Sequence, residues 1–179
     1  DFAQNLEIPF INGLSPNSHP AQIISDIFTI EEIKKKKISK LNICWIGDSN
    51  NVLNSLIEAS VKLNFKLNVV CPKKYSPKPK LINYIKKNKG LIFISHDPFI
   101  GASKADVLMT DKVISMNDKV NFKEKLKHFK NFKINEKLLK VVNKNCIILH
   151  CLPRSSEISD KIIFGKKSKV WQQAINRVH

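Results

Sequence analysis

The chain has 179 residues, of which 42% are hydrophobic and 26% charged, the proportions of an ordinary soluble globular protein with one sizeable core. No apolar run approaches the roughly 20 residues that a membrane-spanning helix needs, so the sequence excludes that class of protein. We expect no membrane partner.

The formal net charge of +16 suggests a nucleic-acid-binding protein, but its make-up argues against that class. Only Arg154 and Arg177 are arginines, whereas recognition of phosphates and bases favours the bidentate guanidinium. The abundant lysines accompany asparagine and isoleucine, which share A/T-rich codons. We therefore attribute the charge to compositional drift and expect no nucleic-acid partner.

The four cysteines do not pair at the spacing of a metal site. Cys44, Cys71, Cys146 and Cys151 lie in or beside apolar runs and form no C-x-x-C motif. This pattern predicts free thiols in a reducing compartment, and hence a cytoplasmic protein, rather than disulfides or zinc ligands. We expect no metal and no cofactor.

The first half of the chain alternates helical and strand patterns. Isoleucines recur on one helical face over 20–36, where Pro20 suits a first turn and Ser18 or His19 can supply the cap. Strands are predicted over 41–46, 65–71 and 91–95, helices over 52–63 and 81–87, and a loop over 72–80.

The second half continues the alternation. Strands are predicted over 107–110 and 146–149, and helices over 135–142, 159–163 and 168–176. The Lys-rich stretch 116–133 has weak helical periodicity and little core material, which is typical of a lid, a binding loop or a disordered insert. Five strands among helices predict an α/β fold: one doubly wound parallel sheet, three layers α/β/α, in a single domain over 1–179.

Polar residues follow the predicted strands, and in such a fold these positions face one crevice. The turn Gly47-Asp48-Ser49-Asn50-Asn51 suits an anion such as a carboxylate, or is a simple helix cap. It lacks the later glycines of a dinucleotide fingerprint. Asp111 and Ser115 can bind an ammonium group together, although a cap or a surface pair with Lys112 also explains Asp111.

Three further segments carry candidate chemistry. Cys151 ends a buried run and offers a thiol, or simply completes the core. His19 and Gln22 lie on one face at a helix N-terminus, where the dipole favours an oxyanion or a polarised carbonyl. The second arginine, Arg177, lies at the end of the chain.

Together these segments resemble the ornithine carbamoyltransferases over nearly the whole chain. The shared motifs are His19-Pro20-Ala21-Gln22, Gly47-Asp48-Ser49-Asn50-Asn51, Asp111 with Ser115-Met116, His150-Cys151-Leu152-Pro153, and Asn176-Arg177. The resemblance implies transfer of a carbamoyl group from carbamoyl phosphate to the δ-amine of L-ornithine, giving L-citrulline and phosphate. It also implies a homotrimeric parent enzyme.

The resemblance assigns roles on the side of the electrophile. His19 and Gln22 would contact the carbonyl and amide of the carbamoyl group and polarise it. Arg177 would add positive charge near the carbonyl oxygen or the phosphate.

On the side of the amino acid, the resemblance assigns the two charged α-groups of ornithine. Asn51 and the backbone around Met116 would hold the α-carboxylate. Asp111 and Ser115 would hold the α-ammonium.

The resemblance places Cys151 and the Leu152 carbonyl against the δ-nitrogen. An amine of this kind has a pKa near ~10.4, so it is mostly protonated at neutral pH and cannot attack. A thiolate coupled to Asp111 would favour binding of the amine and then take up its proton. Covalent attack by Cys151 is the less favoured alternative, because the amine can attack directly.

Three departures from the family pattern bear on activity. The Ser-x-Arg-Thr-Arg phosphate loop of the family's amino-terminal domain does not occur in this sequence. Family chains continue with a helix after Asn-Arg, whereas this one stops at His179, and Asn117 replaces the glycine after Ser-Met. We therefore expect an excerpt of a longer protein, the ornithine-binding domain alone, which does not turn over carbamoyl phosphate.

Two classes of alternative stay open. An aspartate-specific sister enzyme is expected to have proline in place of Cys151, and putrescine lacks the α-groups that Asn51, Asp111 and Ser115 would bind. An acetylornithine enzyme is not distinguished by these residues. A non-catalytic basic module would instead bind nucleic acid with an affinity that falls steeply with salt.

Overall fold

The computed structural model describes residues 3–5, 7–114 and 121–179. The strands are β1 (Asn42–Ile46), β2 (Lys66–Val70), β3 (Ile92–Ser95), β4 (Val107–Asp111) and β5 (Ile147–Cys151). The helices are α1 (Pro20–Lys34), α2 (Asn51–Leu63), α3 (Pro79–Lys87), α4 (Pro98–Ala102), α5 (Phe122–Phe129), α6 (Asp160–Ile163) and α7 (Val170–Asn176).

The five strands form one parallel sheet in the order β3-β2-β1-β4-β5. The chain builds outward from β1 to β3, then returns to the other side of β1 for β4 and β5. The order therefore reverses between β1 and β4, and a crevice opens at the carboxyl ends of such strands. The predicted doubly wound parallel sheet is confirmed.

Both faces of the sheet are buried, which makes three layers. Ile43 and Trp45 of β1 pack in the core that α1, α2 and α3 cover. Cys44 and Ile46, which alternate with them, pack in the second core with residues of α4, α5 and α6. The strands are therefore apolar on both sides, as expected of a covered parallel sheet.

Local signals fix the connection that leads from β1 into the crevice. Gly47 has a φ of 153°, in the region that favours glycine, and its N–H donates to the Val70 carbonyl at 3.0 Å. Asn50 then caps α2, because its Oδ1 accepts from the N–H groups of Val52 and Leu53 at 3.1 Å each. Asn64 ends the helix in a left-handed conformation.

The predicted helix over 135–142 is wrong, since that segment contains only a 3₁₀ turn at Leu138–Lys140. The backbone groups that would extend it bond elsewhere. The Val141 carbonyl accepts from Lys104 N–H at 2.9 Å, and Asn143 N–H donates to Ala105 at 3.1 Å. Tertiary hydrogen bonds thus override the helical pattern.

Two helices were not predicted. In the stretch 116–133, α5 forms and contributes core material, because Phe129 and Phe132 pack as an aromatic cluster with Tyr75. The helix α4 is short and is capped by Asp97, whose Oδ1 accepts from two backbone N–H groups. Smaller differences are that α1 ends at Lys34, α3 begins at Pro79 and β5 continues to Cys151.

No helix within the described ranges has the length and apolarity needed to cross a bilayer.

Candidate active site

The carboxyl end of β5 meets α1 and α7 around a small cavity of about 140 Å³. Its lining residues are Gln22, His150, Cys151, Leu152, Val170, Gln173, Ala174 and Arg177. Four of the residues predicted from sequence, drawn from opposite ends of the chain, therefore share one cavity.

Gln22 links the predicted residues directly. The thiol of Cys151 donates to Gln22 Oε1 at 3.3 Å, and the Arg177 guanidinium donates to the same oxygen. On its other side, Gln22 Nε2 donates to Oδ1 of the buried Asp26 at 2.7 Å. One amide thus connects a thiol, a cation and a carboxylate.

Asp26 is a site residue that the sequence analysis missed. Its Oδ1 accepts a second bond, from Nε2 of Gln173 at 2.7 Å, and Gln173 Oε1 accepts from the backbone N–H of His150 at 3.0 Å. Burial raises the pKa of Asp26 to about 7, although the two glutamine amides act in the opposite direction. The available signal was a carboxylate on the core face of α1.

Further hydrogen bonds join α1 to α7, and we call this set the polar seam. Ser25 donates to the Gln173 carbonyl at 3.3 Å, and Asn176 Nδ2 donates to Thr29 Oγ1 and to Glu32 Oε2 at 2.9 Å each. The seam comprises Gln22, Ser25, Asp26, Thr29 and Glu32 of α1 with Gln172, Gln173, Asn176 and Arg177. It fixes the axial position of α7, and therefore of Arg177, against α1.

The surroundings of Cys151 favour its neutral thiol form. Burial, reinforced by the carboxylates of Asp111 and Asp26, raises its pKa to about 12, and Arg177 lowers it only in part. These surroundings disfavour the thiolate that the resemblance implies, and the thiolate stays a prediction. All four cysteines are free, as predicted, and the other three are buried.

Asp111 lies beside Cys151, because the two are register partners at the ends of β4 and β5. Its carboxylate accepts from Asn50 Nδ2 and from Lys112 N–H, each at 2.7 Å. Burial raises the pKa of Asp111, although the hydrogen bond from Lys112 N–H and the nearby His150 act in the opposite direction. Asn50 belongs to the turn predicted to bind an anion or cap a helix, but the sequence analysis did not predict its bond to Asp111. Ser115 and Met116 lie outside the described residues.

His150 pairs with Glu157 on the opposite face of the strand end. Its Nε2 lies 2.8 Å from Glu157 Oε1, and this oxygen also accepts from Ser155 N–H at 2.5 Å. Both side chains are fully buried, and their remaining polar atoms, His150 Nδ1 and Glu157 Oε2, have no hydrogen-bond partner. The pair anchors the loop that follows Cys151.

Two predicted residues are not among those that line the cavity. His19 occupies the cap position of α1 without capping it, because its Nδ1 bonds to the Gly13 carbonyl at 2.9 Å. Burial lowers the pKa of His19, and Arg177 adds to this effect. Asn51 donates to the Ser15 carbonyl at 2.9 Å. Leu152 does line the cavity and is 39% exposed.

A buried ion pair supports the turn after β1. Lys125 of α5 is 2% exposed, and its Nζ lies 2.6 Å from Asp48 Oδ2 and 5.6 Å from the centre of the Tyr75 ring. Trp45 Nε1 donates to the Asp48 carbonyl at 3.1 Å. Among the described residues, no cluster of three His, Cys, Asp or Glu side chains is arranged to hold a metal ion.

A family model described as the Asp/Orn binding domain of aspartate/ornithine carbamoyltransferase matches residues 39–179. The chain belongs to the aspartate/ornithine carbamoyltransferase family. It is 41% identical to an ornithine carbamoyltransferase of Methanocorpusculum labreanum over 181 residues, which cover 100% of this chain and 59% of the relative. An ornithine carbamoyltransferase of Methanococcus aeolicus is 43% identical over 187 residues, covering 100% of this chain and 61% of the relative.

The fold matches solved members of the aspartate/ornithine carbamoyltransferase family. The crystal structure of anabolic ornithine carbamoyltransferase from Campylobacter jejuni superposes with a TM-score of 0.92 at 35% identity, covering 99% of this chain and 60% of that one. The chain therefore spans about three fifths of the length of these relatives.

Proposed function

We propose that residues 1–179 are the ornithine-binding domain of an ornithine carbamoyltransferase, which transfers the carbamoyl group of carbamoyl phosphate to the δ-amine of L-ornithine. The observation that carries the proposal is the convergence of Cys151, Gln22 and Arg177 beside Asp111 at one sheet edge. The names of the relatives support the same reaction.

The charges of the site suit the two ends of ornithine. In the proposal, the half-buried carboxylate of Asp111 binds the α-ammonium, together with Ser115. Asn51 and the Met116 backbone bind the α-carboxylate. Ornithine would require Asn51 to exchange its bond to the Ser15 carbonyl for a bond to the substrate.

The δ-amine is proposed to lie against Cys151 and the Leu152 carbonyl. A neutral thiol and a carbonyl leave the amine free to lose its proton, whereas a thiolate would hold it as an ammonium. After the ammonium has lost its first proton to solvent, the nitrogen lone pair attacks the carbamoyl carbon and the C–O bond to phosphate breaks. The leaving phosphate takes the second proton, which the nitrogen loses as the C–N bond forms. Arg177 and His19 would stabilise the charge that develops on the oxygens.

The family resemblance supports three further proposals: that the parent enzyme works in the cytoplasm, that it serves arginine biosynthesis, and that it assembles as a homotrimer. We also propose that it needs no cofactor, because the attacking amine and the phosphate leaving group suffice for the chemistry.

A chimera tests the function. This chain replaces the matching segment of the Methanocorpusculum labreanum relative, so that the relative supplies the remaining parts of the enzyme. We expect citrulline to form from carbamoyl phosphate and L-ornithine, and a Cys151→Ala chimera to be strongly impaired.

The choice of acceptor separates the sister reactions. N2-acetylornithine blocks the α-ammonium, putrescine lacks both α-groups, and L-aspartate lacks the δ-amine. Faster turnover of any of these than of L-ornithine would contradict the proposed substrate.

A further inference from the structure

We propose that Asp26 is a positioning residue: it fixes the orientation of the Gln22 and Gln173 side-chain amides, and through them it holds Cys151 from two sides. The inference deepens the proposed carbamoyl transfer and rests on it for its catalytic meaning. It concerns a residue that lies behind the cavity wall.

Each glutamine amide is sandwiched between an acceptor and a donor. Gln22 has the Asp26 carboxylate on one side and the Arg177 guanidinium on the other. Only one orientation satisfies both, with Nε2 toward the carboxylate and Oε1 toward the cation. In the reversed orientation, the amide oxygen would face the Asp26 carboxylate and the amide NH2 group would face the Arg177 guanidinium.

The same logic applies to Gln173. Its Nε2 donates to Asp26, and its Oε1 accepts from the N–H of His150, the residue that precedes Cys151. This bond holds the backbone at the end of β5. Gln22 holds the Cys151 side chain, because its Oε1 accepts from the thiol at 3.3 Å.

Both amides donate to the same atom, Asp26 Oδ1, at 2.7 Å. Asp26 is 1% exposed, and Gln22 and Gln173 are each 3% exposed, so water does not replace a lost partner. A buried polar group left without its hydrogen bond is destabilising, because it gains no bond to water in exchange. One carboxylate oxygen therefore orients two side chains, of which one bonds to the Cys151 thiol and the other to the backbone N–H of the preceding residue.

Two substitutions of Asp26 by residues of similar size separate its role in orienting the glutamine amides from its role in packing. In Asp26→Asn the side chain keeps an oxygen that accepts from both glutamines, whereas in Asp26→Leu it offers none. Asp106→Leu is the matched control, since Asp106 also accepts from two nitrogens, Asn42 N–H and Asn143 Nδ2, but at the opposite edge of the sheet.

The first readout is the reaction of Cys151 with an aromatic disulfide reagent at pH 8, with the modified peptide identified by mass spectrometry. We expect Asp26→Leu to react at least about tenfold faster than the unsubstituted chain, because the thiol loses its fixed acceptor. Asp26→Asn and Asp106→Leu are expected to stay within about threefold.

The second readout is citrulline formation by the chimera. Asp26→Leu is expected to lower kcat at least about thirtyfold with little change in KM for L-ornithine, whereas Asp26→Asn keeps most of the rate. A folded Asp26→Leu chain that matches Asp26→Asn in both readouts overturns the inference.

If Asp26→Leu does not fold, substitutions of Gln173 supply the test. Gln173→Met removes the amide, and Gln173→Glu keeps the acceptor for His150 N–H but sets a carboxylate against Asp26. We expect Gln173→Glu to perturb thiol reactivity and rate more than Gln173→Met, and equal effects would contradict the inference. Because thiol reactivity needs neither substrate, a chimera without citrulline activity would refute the proposed function while the thiol data still decide the role of Asp26.

Discussion

Asp111 and Cys151 stand side by side at the ends of adjacent parallel strands, on the face of the sheet that α1 covers. Residues two positions earlier, Met109 and Leu149, are buried in the same core, so the strand alternation directs both polar side chains to one side. A carboxylate and a thiol thus form the floor of the crevice.

Replacing Asp111 should weaken the capture of the α-ammonium. In the chimera, Asp111→Asn is expected to raise KM for L-ornithine by roughly 10- to 100-fold, since a hydrogen bond to a charged group contributes about 1.5–3 kcal/mol. L-norvaline, which keeps the α-groups and lacks the δ-amine, should lose inhibitory strength to the same extent. An unchanged inhibition constant would contradict the assignment; Asp106→Asn is the control.

The ionisation of Cys151 can be read from its alkylation. With a pKa near 12, the thiolate fraction grows about tenfold per pH unit across the neutral and mildly alkaline range. The rate of carboxamidomethylation by iodoacetamide should therefore still be rising at pH 10. A plateau below pH 9 would show a thiolate far more stable than the structure implies.

The buried ion pair should matter much more than an exposed one on the same helix. Lys125→Met removes the buried ammonium that lies 2.6 Å from the Asp48 carboxylate, and we expect a loss of about 3–5 kcal/mol in the free energy of unfolding. The control, Lys74→Met, breaks the exposed pair with Glu124, whose Nζ–Oε1 distance of 2.7 Å is nearly the same, and should leave stability unchanged. Urea unfolding measures both, and similar losses would contradict the expectation.

Asp26 should make the folded chain less stable as the pH rises toward neutrality. Its pKa is about 7 in the folded chain and near 3.8 when unfolded, so between these values the folded state binds the proton more tightly. Stability due to this group therefore falls as pH rises from about 4 to about 7, by up to about 1.4 kcal/mol per pH unit.

Urea unfolding of the unsubstituted chain and of Asp26→Asn at several pH values isolates this contribution, because the other carboxyl groups are common to both. The advantage of Asp26→Asn should grow with pH up to neutrality. A constant difference would mean that Asp26 does not titrate in this range.

The chain by itself should not form citrulline. The Ser-x-Arg-Thr-Arg phosphate loop that the resemblance leads us to expect does not occur in residues 1–179, so we expect this stretch alone not to bind carbamoyl phosphate productively. A colorimetric citrulline assay on the purified chain should give the background rate. Robust turnover would contradict this prediction.

The sheet and the meeting of Cys151, Gln22 and Arg177 could be predicted because strand patterns and short motifs are local signals. The topology then brings the strand ends together without further information. The same reasoning placed His19 and Asn51 beside them, but their side chains bond to the carbonyls of the preceding loop.

What escaped prediction depends on pairing across long separations. Asp26 and Gln173 are 147 positions apart, and Lys125 is 77 positions from Asp48. The sequence shows Asp26 within an apolar helix face and Lys125 within a lysine-rich stretch. It does not show which distant residue pairs with either of them and so compensates for its burial. The helix predicted over 135–142 failed for a related reason, since distant backbone groups claim its hydrogen bonds.

The polar seam has a consequence for how α7 can move. An apolar interface allows one helix to slide along another, because one aliphatic contact resembles the next. A row of matched hydrogen-bond donors and acceptors allows only one alignment of the two helices. Sliding α7 by one helical turn, about 5.4 Å, would mismatch every bond in the row at once. The helix α7, which precedes Arg177, is therefore expected either to dock in this one alignment or to detach from α1, without an intermediate position.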